Sequence, residues 1–259
     1  MDRVPAIQLE RLAIGYGGKA LFGDFSMEIP EGSFNVIVGS NGSGKSTLLY
    51  TVSGDLRAVG GTVKVAGSEV AKMSPRQRSR VLSLVYTERF AGGGLTVTEV
   101  VSMGRYPYTG LLGILTDADK EIVHRALCEV GIVHKKDSTM ATLSDGERQK
   151  VMIARAIAQC TPVLILDEPT NFLDAASRIE VMDLIGRLTH EKNITTVLST
   201  HDLAPALPYA DNIITILPSD KCPVVLNRAG SAESIARLNA IYRSRGIGFD
   251  PESNDFRML

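Results

Sequence analysis

The 259-residue chain predicts an α/β fold. The expected form is a mainly parallel sheet covered by helices on both faces, with a small antiparallel β part and a helical subdomain. Three observations predict it. The runs FNVIVG (34–39), PVLILDEP (162–169), TTVLSTHD (195–202) and NIITILP (212–218) are short and apolar without strict alternation, as strands buried on both faces are. Stretches of helical period separate them, among them AASRIEVMDLIGRLTHE (175–191). From about residue 96 to 160 the pattern is mainly helical.

Taken in order, residues 7–30 read as two short strands around the Gly-rich turn GYGG, ending before Pro30 and Gly32. FNVIVG follows as a buried strand, and KSTLLYTVSG (45–54) reads as a helix that stops at Gly54. GTVKVAGSEV (61–70) reads as a hairpin. Then come the helical segments TVTEVVSMGR (96–105), DADKEIVHRALCEVG (117–131) and ERQKVMIARAIAQ (147–159). After the remaining strands, GSAESIARLNAIYRSRG (230–246) is expected to be helical. There is no internal repeat and no low-complexity segment.

Composition narrows the class. Hydrophobic residues make up 44% and charged residues 22%, which argues for a packed interior and against disorder. A net charge of −1 supplies no bulk attraction to nucleic acid, so no nucleic-acid partner is expected. Cys128, Cys160 and Cys222 are far apart and form no CxxC pair, which fits a reducing cytosol better than a disulfide framework or a zinc site. The opening residues carry charges throughout, so no signal peptide is expected. No run approaches the roughly 18 apolar residues of a membrane span. Any work at a membrane is expected from its side.

The strongest motif is GSNGSGKST, which matches GxxxxGK[ST] between a predicted strand and a predicted helix. It comprises Gly39, Ser40, Asn41, Gly42, Ser43, Gly44, Lys45, Ser46 and Thr47. Glycines let backbone amides curl around phosphate oxygens, and the helix N-terminus adds positive potential. Lys45 then reaches the β- and γ-phosphates of ATP, and the Ser46 hydroxyl takes a position on Mg²⁺. The strand LILDE supplies the second element: Asp167 is expected to hold Mg²⁺ through water, and Glu168 to polarise the attacking water as general base. His201 stands at the same relative place after another apolar strand, where it is expected to bond the γ-phosphate and orient water. A further motif, LSDGE, begins a helix: Ser144 is a natural N-cap and Glu147, three residues on, completes a capping box.

The order P-loop, LSDGE, LILDE and then His201 resembles the ATPase subunit of ABC transporters over roughly residues 7–220. The resemblance implies a P-loop NTPase with a RecA-like core and two such subunits facing head to tail. Each ATP would lie between the P-loop of one chain and the signature helix of the other. The family's signature reads LSGGQ. Ser144 and Gly146 match its phosphate-contacting positions, while Asp145 replaces the first glycine and Glu147 the glutamine. Asp145 puts a carboxylate near a triphosphate, yet a side chain at this helix position can point away and favour the helix dipole. Tyr16 matches the aromatic that stacks on adenine, and Asp174 in NFLD matches the loop that touches the opposite subunit. The glutamine that ordinarily binds Mg²⁺ after the strand preceding the helical insert is missing. Glu88 or Thr87, in LVYTERF, occupies that region with an oxygen ligand.

The implied organisation is a nucleotide-binding core from 1–86 and 161–220, a helical subdomain at 87–160 carrying the signature, and a C-terminal extension at 221–259. Within the family, MGRYPYTGLLG (103–113), SDGERQKVMIARAIAQ and EPTNFLD resemble ATPases that import iron–siderophore complexes, haem and cobalamin. That resemblance implies a homodimer at the cytoplasmic face of the membrane, joined to separate permease subunits and served indirectly by a substrate-binding protein. The alternatives are the ATPase of another ABC transporter, such as an exporter, and a soluble regulatory ABC ATPase.

Overall fold

The computed structural model describes residues 5–86, 92, 94–110, 113–243 and 246–258. Strands β1 (Ile7–Tyr16) and β2 (Lys19–Ile29) pair antiparallel around Gly17 and Gly18, both with positive φ. At 10 and 11 residues they are longer than the short strands expected, because register shifts at Leu12 and Ile14 bend the ribbon without ending it. After β3 (Phe34–Val38) and α1 (Lys45–Ser53), the hairpin β4 (Gly60–Val65) and β5 (Ser68–Glu69) completes a four-stranded sheet of order β2-β1-β4-β5. The one-turn helix α2 (Pro75–Arg78) and strand β6 (Leu82–Val85) precede the helical insert. The insert holds α3 (Val97–Ser102), α4 (Asp117–Glu129) and α5 (Asp145–Ala158), which pack on one another. Each begins with a capping box: Thr96 with Glu99, Thr116 with Asp119, Ser144 with Glu147.

The chain then returns through β7 (Val163–Asp167), α6 (Ala175–Lys192), β8 (Thr195–Ser199), β9 (Asn212–Ile216) and β10 (Val224–Arg228). The central sheet has the order β10-β9-β3-β8-β7-β6. All its pairs are parallel except β10 with β9. Its edge strand β10 thus comes from residues after 220, a stretch with no strand expected. Helix α7 (Ala232–Tyr242) and the hairpin β11 (Ile247–Asp250) with β12 (Asp255–Met258) close the chain. An edge-on contact of Phe256 with Tyr242 (4.9 Å) seats that hairpin on α7, and one with Phe249 (5.6 Å) ties its two strands.

The two faces of the central sheet build two cores. Leu164 and Leu166 of β7 join Val36, Leu198 and Ile213 against α6 and the insert. Val163 and Ile165 join Ile37, Val197 and Ile214 against α1 and the antiparallel sheet. Both faces need apolar side chains, which is why these strands read as unbroken apolar runs.

The GRYP segment has a structural reason to exist. Arg105 is 6% exposed. Its Nε donates to Asp119 Oδ1 (2.9 Å) and its Nη1 to the Ala158 carbonyl (2.8 Å), while its guanidinium lies 4.0 Å from the centre of the Tyr108 ring. The Tyr108 hydroxyl donates to the Gln159 carbonyl (2.9 Å). A side chain on Gly104 would collide with the Arg155 carbonyl of α5. Residues 104–108 therefore clamp α4 to the end of α5.

Replacing Asp119 with Asn leaves Arg105 buried without its counter-charge. The variant is expected to lose about 3 kcal/mol of stability in urea denaturation at neutral pH. The Thr116 hydroxyl and amide, and then Arg105, hold the Asp119 carboxyl below the usual aspartate range. The native protein should therefore keep this contribution above about pH 4, the ordinary aspartate pKa, and lose it as pH falls through the lower folded value. A parallel titration of Asp119→Asn should show that loss missing.

Candidate functional site

The site forms at the C-terminal edge of the central sheet, where β3, β8 and β7 end side by side. β3 delivers the chain into residues 39–44, which turn into α1. Gly44 caps that helix with φ 102°, and no side chain caps it, so its first amides face outward. The positive φ is what calls for glycine, and a Cβ there would also crowd the ends of the Leu21 (2.8 Å) and Phe22 (3.0 Å) side chains. Lys45 is 6% exposed. Its ammonium donates to the Gly39 carbonyl at 3.0 Å and the Ser40 carbonyl at 3.3 Å. Burial lowers its pKa, against the opposing pull of Glu168 and Asp167. The loop thus sets a cation beside an uncapped helix N-terminus, a cradle for phosphate.

Asp167 ends β7 at 3% exposure. Ser46 Oγ (3.1 Å) and Ser199 Oγ (2.6 Å) donate to its Oδ1, and the Tyr50 hydroxyl to its Oδ2 (2.9 Å). Glu168 follows in a left-handed backbone, φ 48°, uncommon for a residue with a side chain. Ser199 secures that turn: the Glu168 amide donates to its carbonyl (3.1 Å) and its hydroxyl (3.0 Å). The Glu168 carboxylate meets His201 Nε2 through one oxygen and accepts from Asn171 Nδ2 (3.3 Å) through the other. A cleft of about 470 Å³ joins P-loop residues with Tyr16, Leu21, Glu168 and His201. Tyr16 is 60% exposed, its hydroxyl 3.2 Å from Thr47 Oγ1, so its ring is open to a flat partner.

Ser144, Asp145, Gly146, Glu147 and Asp174 do not line this cleft. Glu147 donates its amide to Ser144 Oγ (3.2 Å), and the Glu147 carboxylate accepts the Ser144 amide (2.9 Å), so the capping box is closed. Asp145 turns back along its helix to Arg148 (3.1 Å). Arg148 also donates to the Met140 (3.0 Å) and Ala141 (3.2 Å) carbonyls. Gly146 abuts α6: a Cβ there would stand 2.8 Å from Ser177 Oγ. Asp174 caps α6, accepting the Ser177 amide at 2.7 Å. Thr87 and Glu88 lie outside the described residues.

The donors fit a hard cation. Ser46 and Asp167 place a hydroxyl and a carboxylate oxygen 3.1 Å apart beside the cradle. Among the described residues no cluster of three or more His, Cys, Asp or Glu could hold a metal ion. Such a sparse oxygen set suits Mg²⁺, which keeps waters and takes phosphate oxygens as its other ligands. Tyr50, Ser199 and Leu21 were not expected at the site. Tyr50 stands four residues after Ser46, a helical spacing that puts both on one face of α1 and was the available signal.

A phosphate cradle, an acidic strand end and a helical insert define a P-loop ATPase. The family model for ABC transporters matches residues 22–171, and the chain belongs to the ABC transporter family. It is 37% identical over 211 residues to the iron(3+)-hydroxamate import ATP-binding protein FhuC of Bacillus subtilis, covering 82% of this chain and 78% of that one. It is 36% identical over 215 residues to the ferric enterobactin transport ATP-binding protein FepC of Escherichia coli, covering 83% and 79%. Among solved structures, one chain of a metal-chelate type ABC transporter in an inward-facing conformation superposes with a TM-score of 0.78 at 25% identity, covering 93% of this chain and 90% of that one. The chain is an ATP-hydrolysing cassette. No described helix is long and apolar enough to cross a membrane.

Ser199→Ala removes a donor from the buried Asp167 carboxylate and one acceptor from the strained Glu168 turn. The nucleotide-free protein is expected to lose about 2 kcal/mol of stability, read by urea denaturation.

Proposed function

We propose that this chain is the ATP-hydrolysing subunit of an importer for an iron chelate, haem or cobalamin, working as a homodimer on separate permease subunits at the cytoplasmic face of the membrane. The cargo follows the names of the relatives, two of which are named for iron(3+)-hydroxamate import and ferric enterobactin transport. One observation carries the dimer: the cleft over the P-loop is open, while the outward-facing helix start at Ser144 and Gly146 lies apart from it. A second copy turned head to tail supplies that helix start to the exposed side of the nucleotide.

In this reading the P-loop amides and Lys45 bind the β- and γ-phosphates, and Tyr16 stacks on adenine. Mg²⁺, held by Ser46 and through water by Asp167, would offset phosphate charge. Glu168 takes the proton of the attacking water, and His201, which meets the Glu168 carboxylate in the nucleotide-free chain, bonds the γ-phosphate and orients that water once ATP is bound. Closure of two copies around ATP is the driven step, and loss of the γ-phosphate releases it. A groove of about 650 Å³ lined by Pro75, Arg76, Met103, Tyr106, Pro107 and Arg155 lies where the insert meets α2. It has the size and the mixed apolar and cationic lining to take a short permease helix.

Glu168→Gln should trap an ATP-bound dimer on size exclusion with light scattering. A variant that stays monomeric with ATP, or hydrolyses at the native rate, overturns the reading. Arg148→Ala removes the guanidinium that pairs with the Asp145 carboxylate, so less of its charge is offset near the triphosphate. In the Glu168→Gln background it should raise the ATP concentration for half-dimerisation about fivefold, the effect of about 1 kcal/mol of charge repulsion in a solvated site. For cargo, the cassette reconstituted with its permease should show ATPase stimulation by a binding protein loaded with an iron chelate, haem or cobalamin, and none by the empty one.

A further inference from the structure

Asp167 is more tightly bound than a metal-side carboxylate needs to be. Among the described residues three hydroxyls converge on it, and they divide between its oxygens: Ser46 and Ser199 on Oδ1, Tyr50 on Oδ2. The terminal torsion of an aspartate is broad and nearly two-fold, so donors on one oxygen do not fix the group. A donor on the other oxygen, delivered from a rigid ring, does. Tyr50 is such a donor. It sits one turn after Ser46 on α1, and its ring is backed by Tyr86, with centroids 5.7 Å apart and planes tilted by 54°. Tyr86 follows β6 and is anchored in turn, its hydroxyl donating to Asp55 at 2.6 Å. An aromatic brace therefore runs from Asp55 through two tyrosines to the end of β7.

We propose that Tyr50 is a positioning residue for the metal-side carboxylate: its phenol sets the orientation of Asp167, so that Oδ1 stays toward Ser46, and Tyr86 holds the phenol there. The proposal rests on the reading of Ser46 and Asp167 as the Mg²⁺ side of the cleft. Its action is on metal affinity. The Tyr50 phenol donates to Asp167, whereas the Lys45 ammonium donates to the Gly39 and Ser40 carbonyls, so binding of the nucleotide without metal is expected to be left alone.

The test uses the full chain in the Glu168→Gln background with stoichiometric ATP. Mn²⁺ is titrated as the probe, its free fraction read by electron paramagnetic resonance. Tyr50→Phe keeps the ring and deletes the hydroxyl. It is expected to weaken Mn²⁺ binding about tenfold, the usual effect of losing an outer-shell partner, while ATP binding in chelator changes less than twofold. Equal Mn²⁺ affinity, tighter Mn²⁺ binding, or an equal loss of metal-free ATP binding each overturns the proposal. Ser46→Ala serves as reference. If it leaves Mn²⁺ binding unchanged, the metal reading itself is wrong. If it weakens binding while Tyr50→Phe does not, only the role of Tyr50 falls. Should Tyr50→Phe not fold, Tyr86→Leu must show the same weakening, and an unchanged titration there overturns the proposal.

Discussion

The constraint on which the rest depends is a single buried carboxylate. Asp167 has almost no access to solvent, so its oxygens must be satisfied from within. The three hydroxyls that do this come from α1 and β8, and two of them have a second duty. Ser46 opens the helix that faces the phosphate cradle. Ser199 fixes the strained turn that aims Glu168. Placement of the Asp167 and Glu168 carboxylates is thus one problem with one solution, and the parallel order β3-β8-β7 brings the three parts to the same edge.

The acidic residue inside the signature illustrates how a sequence departure is absorbed locally. Asp145 stands at the first position of α5, where its charge favours the helix dipole, and Arg148 draws it along the helix axis. Arg148 is itself tethered to two carbonyls of the preceding turn, so the pair is held in a defined direction. The substitution is accompanied by the means of turning it aside, and Ser144 at the helix start stays exposed.

Much of this was legible beforehand. The apolar runs marked the central strands because each is covered on both faces, and the P-loop and capping boxes depend on residue types at fixed spacing, which sequence displays directly. What escaped depends on contacts across the fold. Tyr50 looks like any aromatic on a helix until β7 is set beside it. Arg105 in GRYP is matched by an aspartate 14 residues on, a pairing that no short period reveals. The strand β10 and the final hairpin are short and half-exposed, and they owe their form to neighbours: β9 for the first, the aromatic contact with Tyr242 of α7 for the second. The resemblance to iron-chelate importers pointed to GRYP as a family mark, and the structure adds that its arginine is a clamp within the insert.

One small contact has a mechanical consequence. Gly146 at the start of α5 sits close against Ser177 at the start of α6, where a Cβ would push the Ser177 hydroxyl aside. The 14 residues of α5 form a rod of about 21 Å. Pinned at that end, the rod is a lever with its fulcrum under the signature: a tilt of about ten degrees leaves Ser144 nearly still and sweeps the far end by roughly 4 Å. The clamp formed by residues 104–108 grips that far end, so the groove beside it is where angular motion of the insert has the greatest throw.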